Sequence, residues 1–493
     1  MRNLVLLLGA TAIALAPAAS SAQGGRYLNP RDVAEAQQQH AELLAEYGGA
    51  ETGPRGAYVE SVGRRVAAYT GLANPGAAIH FTTLNAAVEN AFAIPGGYVY
   101  ITRQLMALMD DESQLAFALG HEAGHIAANH AEQRRAAARR NSMGGIFGAI
   151  LGSVLGGGMG GAIAQMSQQR AQLATLGFSR EQEYQADMLG TRYMVAAGYD
   201  PAGGPGVLAA LARSTALQAR VQGRTNRQTP EWASTHPLSE NRTQRALANA
   251  RATGRLGTGI RNRDTFLAQL KGVYVDDDPE QGIIDGRSFT HPDLRIQFAV
   301  PVGYLMQNST RAVTIKGSAG QAQFSGGRYR GSLENYIYQV FQGLTGGRQE
   351  LMIQPPQRTM INGLPAAFTT TRTNTSSGVV DVSVMAYQWS PDTIYHFVML
   401  SRGGYGMAPF TQMVNSLRRI TPAEAAAIRP RVIDVVTVRP GDTVQSLANR
   451  MAYRDFQLDR FLAFNGLSAG SRLVAGQKVK LIVYGTRRPA SPA

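Results

Sequence analysis

His121-Glu122-Ala123-Gly124-His125 belongs to a run whose apolar residues recur every three to four positions across residues 105–127. That spacing predicts one continuous helix with a buried face. Residues four apart lie above one another on a helix, so His121 and His125 point the same way. Two neutral imidazoles in this arrangement can bind one Zn²⁺, and Glu122 can reach a water on the metal as its general base. The alternative interpretation is a buried helix whose histidines form local hydrogen bonds.

A third protein ligand is required, because catalytic zinc usually has three and keeps one position open for water. His130 lies nine residues beyond His121, about 180° round a continuous helix. We expect neither Ala128 nor Asn129 to turn the chain between them. The sequence therefore predicts that His130 caps a helix or packs, and that it does not bind the metal.

A second helix is predicted to begin after Ser179, which forms a capping-box pattern with Gln182. Glu183 and Asp187 are again four residues apart and so share one face of this helix. We predict that Glu183 is the third zinc ligand. Asp187 is then placed to accept the N–H of a ligating imidazole and to fix its orientation. Without the histidine pair, these two acids would be interpreted as a solvated face.

The pattern HExxH followed by SRxxExxAD resembles the zinc metallopeptidase family of the CAAX prenyl protease and HtpX, metallopeptidase family 48, in its periplasmic branch. Three further segments are similar to that family: Asn90–Thr102, Ala197–Pro201, and Ser234–Pro237 with Asn241-Arg242. The resemblance covers residues 31–250. It implies an α+β protein whose first part is a mostly helical, gluzincin-like peptidase domain.

The resemblance also implies roles for residues outside the two motifs. It places His236 near the zinc, where it would either donate to the developing oxyanion or occupy the open metal position as a gate. Arg242 would either stabilise the negative charge of the oxyanion or pair with Asp187. An extended substrate would pair with an edge strand whose binding residues are Asn90, Ala91, Phe92 and Ala93.

The start of the chain is typical of a secretory signal, with Met1-Arg2-Asn3, an apolar run over 4–16 and small residues at 20–22. The apolar run is too short to span a bilayer; an uncleaved anchor is the alternative. The chain contains no cysteine, so it has neither a disulfide nor a thiol for lipid attachment. These features predict a periplasmic or secreted protein.

The formal net charge of +14 favours anionic partners such as lipid headgroups or cell-wall polymer. Contact with a membrane surface is therefore one expectation. Nucleic acid is not expected as a partner, because export removes the chain from it and no basic–aromatic module occurs in the sequence.

A Gly-rich insert at 144–164 separates the two predicted zinc helices, with glycine at 144, 148, 152, 156 and 160. Small residues every four positions let helices approach closely, as in membrane helix pairs. In water, however, each glycine loosens a helix by about 1 kcal/mol. Two interpretations stay open: a hairpin over the active cleft, or a surface for membrane contact or self-association.

Composition and periodicity predict several domains. After residue 288 the pattern changes to short alternating strands, which indicates a separate α+β domain. The last part resembles a LysM module, with a Gly441-Asp442-Thr443 start, an Asn465-Gly466 turn and an Ala475–Gln477 exit, and this implies peptidoglycan binding. Met451–Phe456 is longer and more charged than usual in such modules, so a purely structural use is the alternative. The predicted divisions are a signal at 1–22, the peptidase domain at 23–270, a linker at 271–287, the α+β domain at 288–420, a linker at 421–434, the LysM-like module at 435–485 and a tail at 486–493.

The resulting prediction is a zinc-dependent endopeptidase with one Zn²⁺ per chain. Unfolded or misassembled envelope proteins are the expected substrates, and the resemblance implies outer-membrane proteins among them. The alternative is a cell-wall-associated chaperone or scaffold whose metal site is gated or inactive.

Overall fold

The computed structural model describes residues 25–141, 178–221, 223, 232, 236, 241–345, 352–375 and 378–487. Helices dominate the first part of the chain and sheets the second, which confirms the predicted α+β class. The predicted signal at 1–22 and the Gly-rich insert at 144–164 lie outside the described residues.

The first part of the chain is helical and encloses one small sheet. None of the described helices combines the length and the apolar composition needed to cross a membrane. The helices are α1 (Pro30–Glu46), α2 (Pro54–Ala67), α3 (Pro75–Ala78), α4 (Arg103–Leu108), α5 (Glu112–Ala127), α6 (His130–Asn141), α7 (Arg180–Ala196), α8 (Gly203–Val221), α9 (Arg242–Ala252) and α10 (Arg263–Leu270).

The two helices that hold the predicted metal ligands both begin at a side-chain cap. Asp111 accepts a hydrogen bond from the backbone N–H of Gln114 at the start of α5. At the start of α7, Ser179 and Gln182 form the predicted capping box. These caps satisfy N–H groups that the first helical turn leaves without a partner, so they fix where each helix begins.

Helices α5 and α7 pack closely because glycines lie at their crossing. A β-carbon at Gly190 would lie 2.9 Å from the backbone nitrogen of His121 and 3.2 Å from the carbonyl carbon of Gly120. A β-carbon at Gly124 would lie 3.4 Å from the carbonyl oxygen of Ala186. Without these side chains the two backbones approach one another, and their polar side chains come within reach.

A three-stranded sheet lies beside α5. Its strands are β1 (His80–Leu84), β2 (Ala91–Ile94) and β3 (Tyr98–Thr102), in the order β1-β3-β2. Strand β2 is antiparallel to β3, and no other strand lies beside it in the described part of the chain. The turn after β2 requires glycine at Gly96, where φ is +95° and a β-carbon would lie 2.3 Å from the carbonyl oxygen of Asp32.

The second part contains two sheets, and a separate core lies on each face of the larger one. A seven-stranded sheet has the order β11-β12-β13-β14-β10-β9-β8, and α11 (Leu333–Thr345) packs on one of its faces. Its other face packs on a four-stranded sheet, β15-β7-β6-β5, and on α12 (Thr411–Ser416). The strands are β5 (Ile283–Asp285), β6 (Ser288–His291), β7 (Ile296–Ala299), β8 (Leu305–Asn308), β9 (Val313–Gly317), β10 (Gly320–Arg328), β11 (Gln357–Ile361), β12 (Leu364–Thr375), β13 (Gly378–Ser390), β14 (Thr393–Arg402) and β15 (Arg418–Arg419).

The C-terminal module packs on the helical part through a shared apolar core. Its elements are β16 (Arg431–Thr437), α14 (Val444–Ala448), α15 (Gln457–Asn465) and β17 (Lys478–Tyr484). The buried Lys480 donates from Nζ to the carbonyl oxygens of Ala107 at 3.0 Å and Met109 at 2.6 Å. Burial lowers the pKa of Lys480 to about 8. The buried ammonium of Lys480 therefore connects the C-terminal module to the end of α4 in the helical part.

Both predicted linkers contain ordered elements. Residues 274–275 form β4 (Tyr274–Val275), which pairs with β16 on the side away from β17. Arg103 donates to the carbonyl oxygens of Tyr274 and Asp276, so this part of the predicted linker at 271–287 is ordered against the helical part. Similarly, the linker at 421–434 contains α13 (Pro422–Ala427) and the first residues of β16. The wider domain divisions stay predictions.

We expect Gly190→Ala to lower the free energy of unfolding by about 1–3 kcal/mol, because the added methyl group would overlap the backbone of α5. Urea or thermal unfolding of the purified chain measures this change. Gly76→Ala is the matched control, since a β-carbon there meets no atom within 4 Å; the expected change is below about 0.5 kcal/mol. Equal stability of the two variants would contradict close packing at Gly190.

Candidate metal centre

Four buried side chains meet beside the α5–α7 crossing. His121 and His125 come from α5, Glu183 from α7, and His236 from the segment ahead of α9. One ligand atom from each lies within 4.8 Å of the others. The structure thus brings together the three predicted zinc ligands and the histidine that the family resemblance placed near them.

The separations of these atoms match a tetrahedral zinc site. His121 Nε2 lies 3.0 Å from His125 Nε2 and 3.6 Å from Glu183 Oε2, while His125 Nε2 lies 3.5 Å from Glu183 Oε1. His236 Nδ1 lies 3.4 Å from His121 Nε2 and 3.0 Å from Glu183 Oε1. Ligand atoms bound to one tetrahedral Zn²⁺ at about 2.0–2.1 Å lie about 3.3–3.4 Å apart. Imidazole nitrogen and carboxylate oxygen are also ligands that zinc prefers, so these residues fit the metal.

The other nitrogen of each α5 imidazole is held by a polar neighbour. His121 Nδ1 lies 2.9 Å from Asp187 Oδ1, and the two groups interact electrostatically. His125 Nδ1 lies 2.9 Å from His130 Nδ1, and His130 Nε2 lies 3.0 Å from Gln185 Oε1. Because an amide oxygen only accepts, His130 carries its proton on Nε2 and accepts from His125 at Nδ1. Both α5 histidines therefore present an unprotonated Nε2, as metal ligands must.

His130 reaches His125 because the chain turns at Asn129. Helix α5 ends at Ala127, and Asn129 has a left-handed backbone with φ of 57° before α6 begins. The expectation that neither Ala128 nor Asn129 turns the chain was wrong, since asparagine tolerates this conformation better than most non-glycine residues. His130 is not one of the four potential ligands; it orients His125.

Arg242 pairs with both carboxylates of α7. Its Nε and Nη2 donate to the two oxygens of Asp187, each at 2.8 Å, and its Nη1 lies 2.8 Å from Glu183 Oε2. Of the two alternatives for Arg242, the structure contains the pairing with Asp187. Burial raises the pKa of Asp187, but the Arg242 pair outweighs burial and holds this pKa below its usual value. Asp187 is therefore ionised and able to accept from His121.

The histidines of the cluster differ in charge. Burial, and then the neighbouring His121 and His236, lower the pKa of His125 well below its usual value, so His125 is neutral. Burial also lowers the pKa of His236, but Glu183 and Glu122 outweigh burial and raise it to about 9. His125 is thus neutral, which is the protonation state that a metal ligand requires. The carboxylates of Glu183 and Glu122 instead stabilise the protonated form of His236.

Glu122 lies beside the four potential ligands without being one of them. Its Oε1 is 3.5 Å from His236 Nε2. Its Oε2 is buried and has no hydrogen-bond partner among the described residues. A buried carboxylate oxygen without a protein partner is able to accept a proton or a hydrogen bond from a bound molecule. The position therefore suits the predicted general base.

Two side chains beside His125 were not predicted from the sequence. The Phe178 ring stacks on the His125 ring, with centroids 3.7 Å apart and an interplanar angle of 20°. The Arg134 guanidinium lies 4.2 Å from the centre of the Phe178 ring. Phe178 immediately precedes the cap Ser179, but the fourth residue of the helix is Glu183, so the pair that forms a hydrophobic staple is not present. The contact of Phe178 with His125 therefore had no local signal in the sequence.

The predicted substrate-binding residues form strand β2 and the position before it. Asn90 is bound to Thr102 through its N–H and its carbonyl oxygen. Ala91, Phe92 and Ala93 pair with β3 on the inner side of the strand. Because no described strand covers the outer side, its backbone groups can pair with an extended chain.

Comparison with known families identifies two segments of the chain. Residues 54–250 match peptidase family M48. Residues 436–481 match the LysM domain. Recognition of both from the sequence motifs is confirmed.

Curated relatives match the first part of the chain. The "Beta-barrel assembly-enhancing protease" of Escherichia coli (strain K12) is 29% identical over 199 residues, covering 39% of this chain and 38% of the relative. The protein of that name from Yersinia pestis is 30% identical over 229 residues, covering 45% and 44%. The "Mitochondrial metalloendopeptidase OMA1" of Schizosaccharomyces pombe is 26% identical over 170 residues, covering 34% and 48%. The chain spans less than half the length of each of these relatives.

We expect His130→Ala to weaken zinc binding by about 10–100-fold, because His125 Nδ1 would lose the acceptor that orients its ring. Competition with a chelating dye measures the affinity. His40→Ala is the matched control: His40 is partly buried and hydrogen-bonded to Tyr100, but it is not one of the metal-centre residues. Unchanged zinc affinity in His130→Ala would show that His130 does not orient His125.

Proposed function

We propose that this chain is a zinc-dependent endopeptidase that holds one Zn²⁺ between His121, His125 and Glu183. The observation that supports this most strongly is the zinc-like spacing of their ligand atoms with the unpaired oxygen of Glu122 beside them. The peptidase family M48 match over the same residues supports the same activity. When bound, the metal supplies a Lewis acid that activates water and polarises a peptide carbonyl.

The surrounding residues have distinct parts in the proposed reaction. Glu122 accepts the proton of the attacking water at Oε2 and delivers it to the leaving amine. Asp187 and His130 orient the imidazoles of His121 and His125 by contacting their Nδ1 atoms. Arg242 balances the negative charge of Glu183 and Asp187, so the buried carboxylates stay ionised.

The proposed substrates are unfolded or misassembled envelope proteins. A chain that pairs with β2 is bound through its backbone, so many sequences can bind, provided that they are extended. A folded domain cannot present such a segment without opening. Two of the relatives are named for β-barrel assembly, and we extend the proposal to outer-membrane proteins on that basis.

We place the protein in the periplasm or outside the cell. The sequence pattern at 1–22 and the LysM match support this location. The LysM domain would contact peptidoglycan, and its turn at Pro440 and Gly441 is exposed. Contact with a membrane surface, suggested by the charge of +14, stays a prediction.

His236 lies where it would close the site. Its Nδ1 lies 3.4 Å from His121 Nε2 and 3.0 Å from Glu183 Oε1, so a neutral His236 would be placed to provide a fourth protein ligand. Four protein ligands are typical of structural zinc, whereas catalytic zinc keeps one position for water. We propose that His236 is a gate and that it withdraws when substrate binds. This placement also favours the second candidate function, a chaperone or scaffold in which the gate stays closed.

Glu122→Gln is expected to slow the cleavage of unfolded casein by about 10²-fold or more, because an amide of the same size cannot accept the proton. Zinc content should stay unchanged, since Glu122 is not a ligand. Casein digestion and metal analysis of the purified chain measure the two properties. Glu60→Gln, on the exposed face of α2, is the control. If Glu122→Gln and wild type cut equally, the peptidase proposal is wrong.

His236→Ala is expected to raise the initial rate of casein cleavage several-fold and to weaken zinc retention, because it opens the fourth position. Initial rates and zinc competition measure these effects. His291→Ala, in β6 of the second part, is the control. A fall in kcat of about 10²–10³-fold would instead show that His236 stabilises the oxyanion and that the site is not gated.

A further inference from the structure

Glu89 is a buried acid that lies just ahead of the edge strand β2 and has no part in the proposed reaction. Its exposed fraction is 8%. Its Oε1 accepts hydrogen bonds from Ser214 Oγ at 2.5 Å and from Gln218 Nε2 at 3.2 Å, both on α8. Its Oε2 is buried and has no hydrogen-bond partner among the described residues. Glutamate is rarely buried without a charged partner, so this environment is unusual.

Glu89 lies on the side of β2 that is turned toward the zinc helix α5. Successive side chains of a strand point to opposite faces, so Glu89 shares a face with Ala91 and Ala93. Ala91 belongs to the apolar core that also contains Leu119 of α5. Ala93 and His125 line the same cavity. The contact of Glu89 with α8 is therefore made on the face of the strand nearest to the metal centre.

Helix α8, which binds Glu89, is itself packed tightly on α5. A β-carbon at Gly203 would lie 2.2 Å from the carbonyl oxygen of Ser113, and one at Gly204 would lie 2.9 Å from the ring of Phe117. Both glycines are in the first turn of α8, and α5 holds two of the predicted zinc ligands. The hydrogen bonds of Glu89 thus connect the start of β2 to the helices that carry the metal centre.

We infer that Glu89 is a positioning residue of the proposed peptidase, which fixes β2 against α8 at the distance from the metal centre that a paired substrate requires. The inference rests on the proposed function, since it takes β2 to be the strand that the substrate joins. A misplacement of about 1 Å is enough to move a bound chain out of productive geometry. Glu89 acts through the strand and does not itself contact the reacting atoms.

The protonation of Glu89 decides whether this contact is charged. Burial, and to a smaller extent Asp276, raise the pKa of Glu89 to about 7, against the hydrogen bonds from Ser214 and Gln218, which lower it. As the pH rises through 7, the protonated group becomes a buried anion, which is unfavourable. We therefore expect the contact between β2 and α8 to weaken over the same range of pH.

The other charged groups on the surrounding elements do not compensate this ionisation. Arg213 and Arg220 of α8 pair with acids outside the contact, and Arg103 at the start of α4 donates to Asn85. Residues 276–278, which follow β4, are all aspartates. The uncharged form of Glu89 is therefore the one that suits its surroundings.

Glu89→Ala is expected to raise the KM for casein about tenfold while kcat and zinc content change by less than about twofold, because substrate pairing alone is weakened. Steady-state cleavage and metal analysis measure these quantities. Thr215→Ala is the matched control, since Thr215 donates to the carbonyl oxygen of Leu211 within α8. An unchanged KM in Glu89→Ala would overturn the inference. A joint fall of kcat, zinc content and stability would also overturn it, because that result indicates a merely structural residue.

Glu89→Gln keeps the acceptor oxygen but cannot ionise. It is expected to match the wild type at about pH 6 and to lack the several-fold rise in KM that the wild type shows between about pH 6 and pH 8. Identical pH profiles of KM in the two proteins would contradict positioning by the uncharged form. Ser214→Ala removes one donor to Glu89 and should raise KM in the same direction, so the test remains available if Glu89→Ala does not fold.

Peptide binding separates this inference from the proposed function. A fluorescent casein fragment is titrated by anisotropy against zinc-loaded Glu122→Gln protein, with and without Glu89→Ala. Binding about tenfold weaker in the double variant supports the inference even if the wild type cuts nothing, in which case the peptidase proposal alone fails. If casein is cut and the two proteins bind the fragment equally, the inference about Glu89 alone fails.

Discussion

The close approach of α5 and α7 is the constraint on which the metal centre depends. Zinc sites require ligand distances within about 0.2 Å of their usual values. Glu183 Oε1 lies 3.5 Å from His125 Nε2 because Gly190 permits backbone contact with Gly120 and His121. Any side chain at this crossing would displace the carboxylate from the imidazoles. The geometry of the metal centre thus depends on glycines, which have no side chain to take part in the reaction.

The charges around the centre are stable only as a group. Glu183 and Asp187 are both buried, and an isolated buried carboxylate would be strongly destabilising. Arg242, itself buried, contacts both of them and has its own charge satisfied in return. Removal of Arg242 would leave two buried carboxylates without their cation, which would destabilise the fold. The same removal would also free Asp187, which contacts His121 Nδ1.

The sequence predicted those features that depend on local periodicity. His121 with His125, and Glu183 with Asp187, follow from helical spacing, and the Ser179 cap follows from its own short pattern. The features that were missed depend on contacts between distant segments. The turn at Asn129 was missed because asparagine only permits a left-handed backbone, and packing decides whether it is used. Likewise, the order of residues 274–276 depends on Arg103, which donates to the carbonyl oxygens of Tyr274 and Asp276. No periodicity in the sequence reveals that contact.

The C-terminal module packs directly against the helical part and is not joined to it by a free linker. Strand β16 pairs with β4 as well as with β17, and Lys480 donates to the backbone at the end of α4. Replacing that ammonium would leave two buried carbonyl oxygens without a donor, which is unfavourable. A module attached by a flexible linker would let the peptidase sample a wide volume around a cell-wall contact. Here the module instead shares an apolar core with the helices that hold the metal centre.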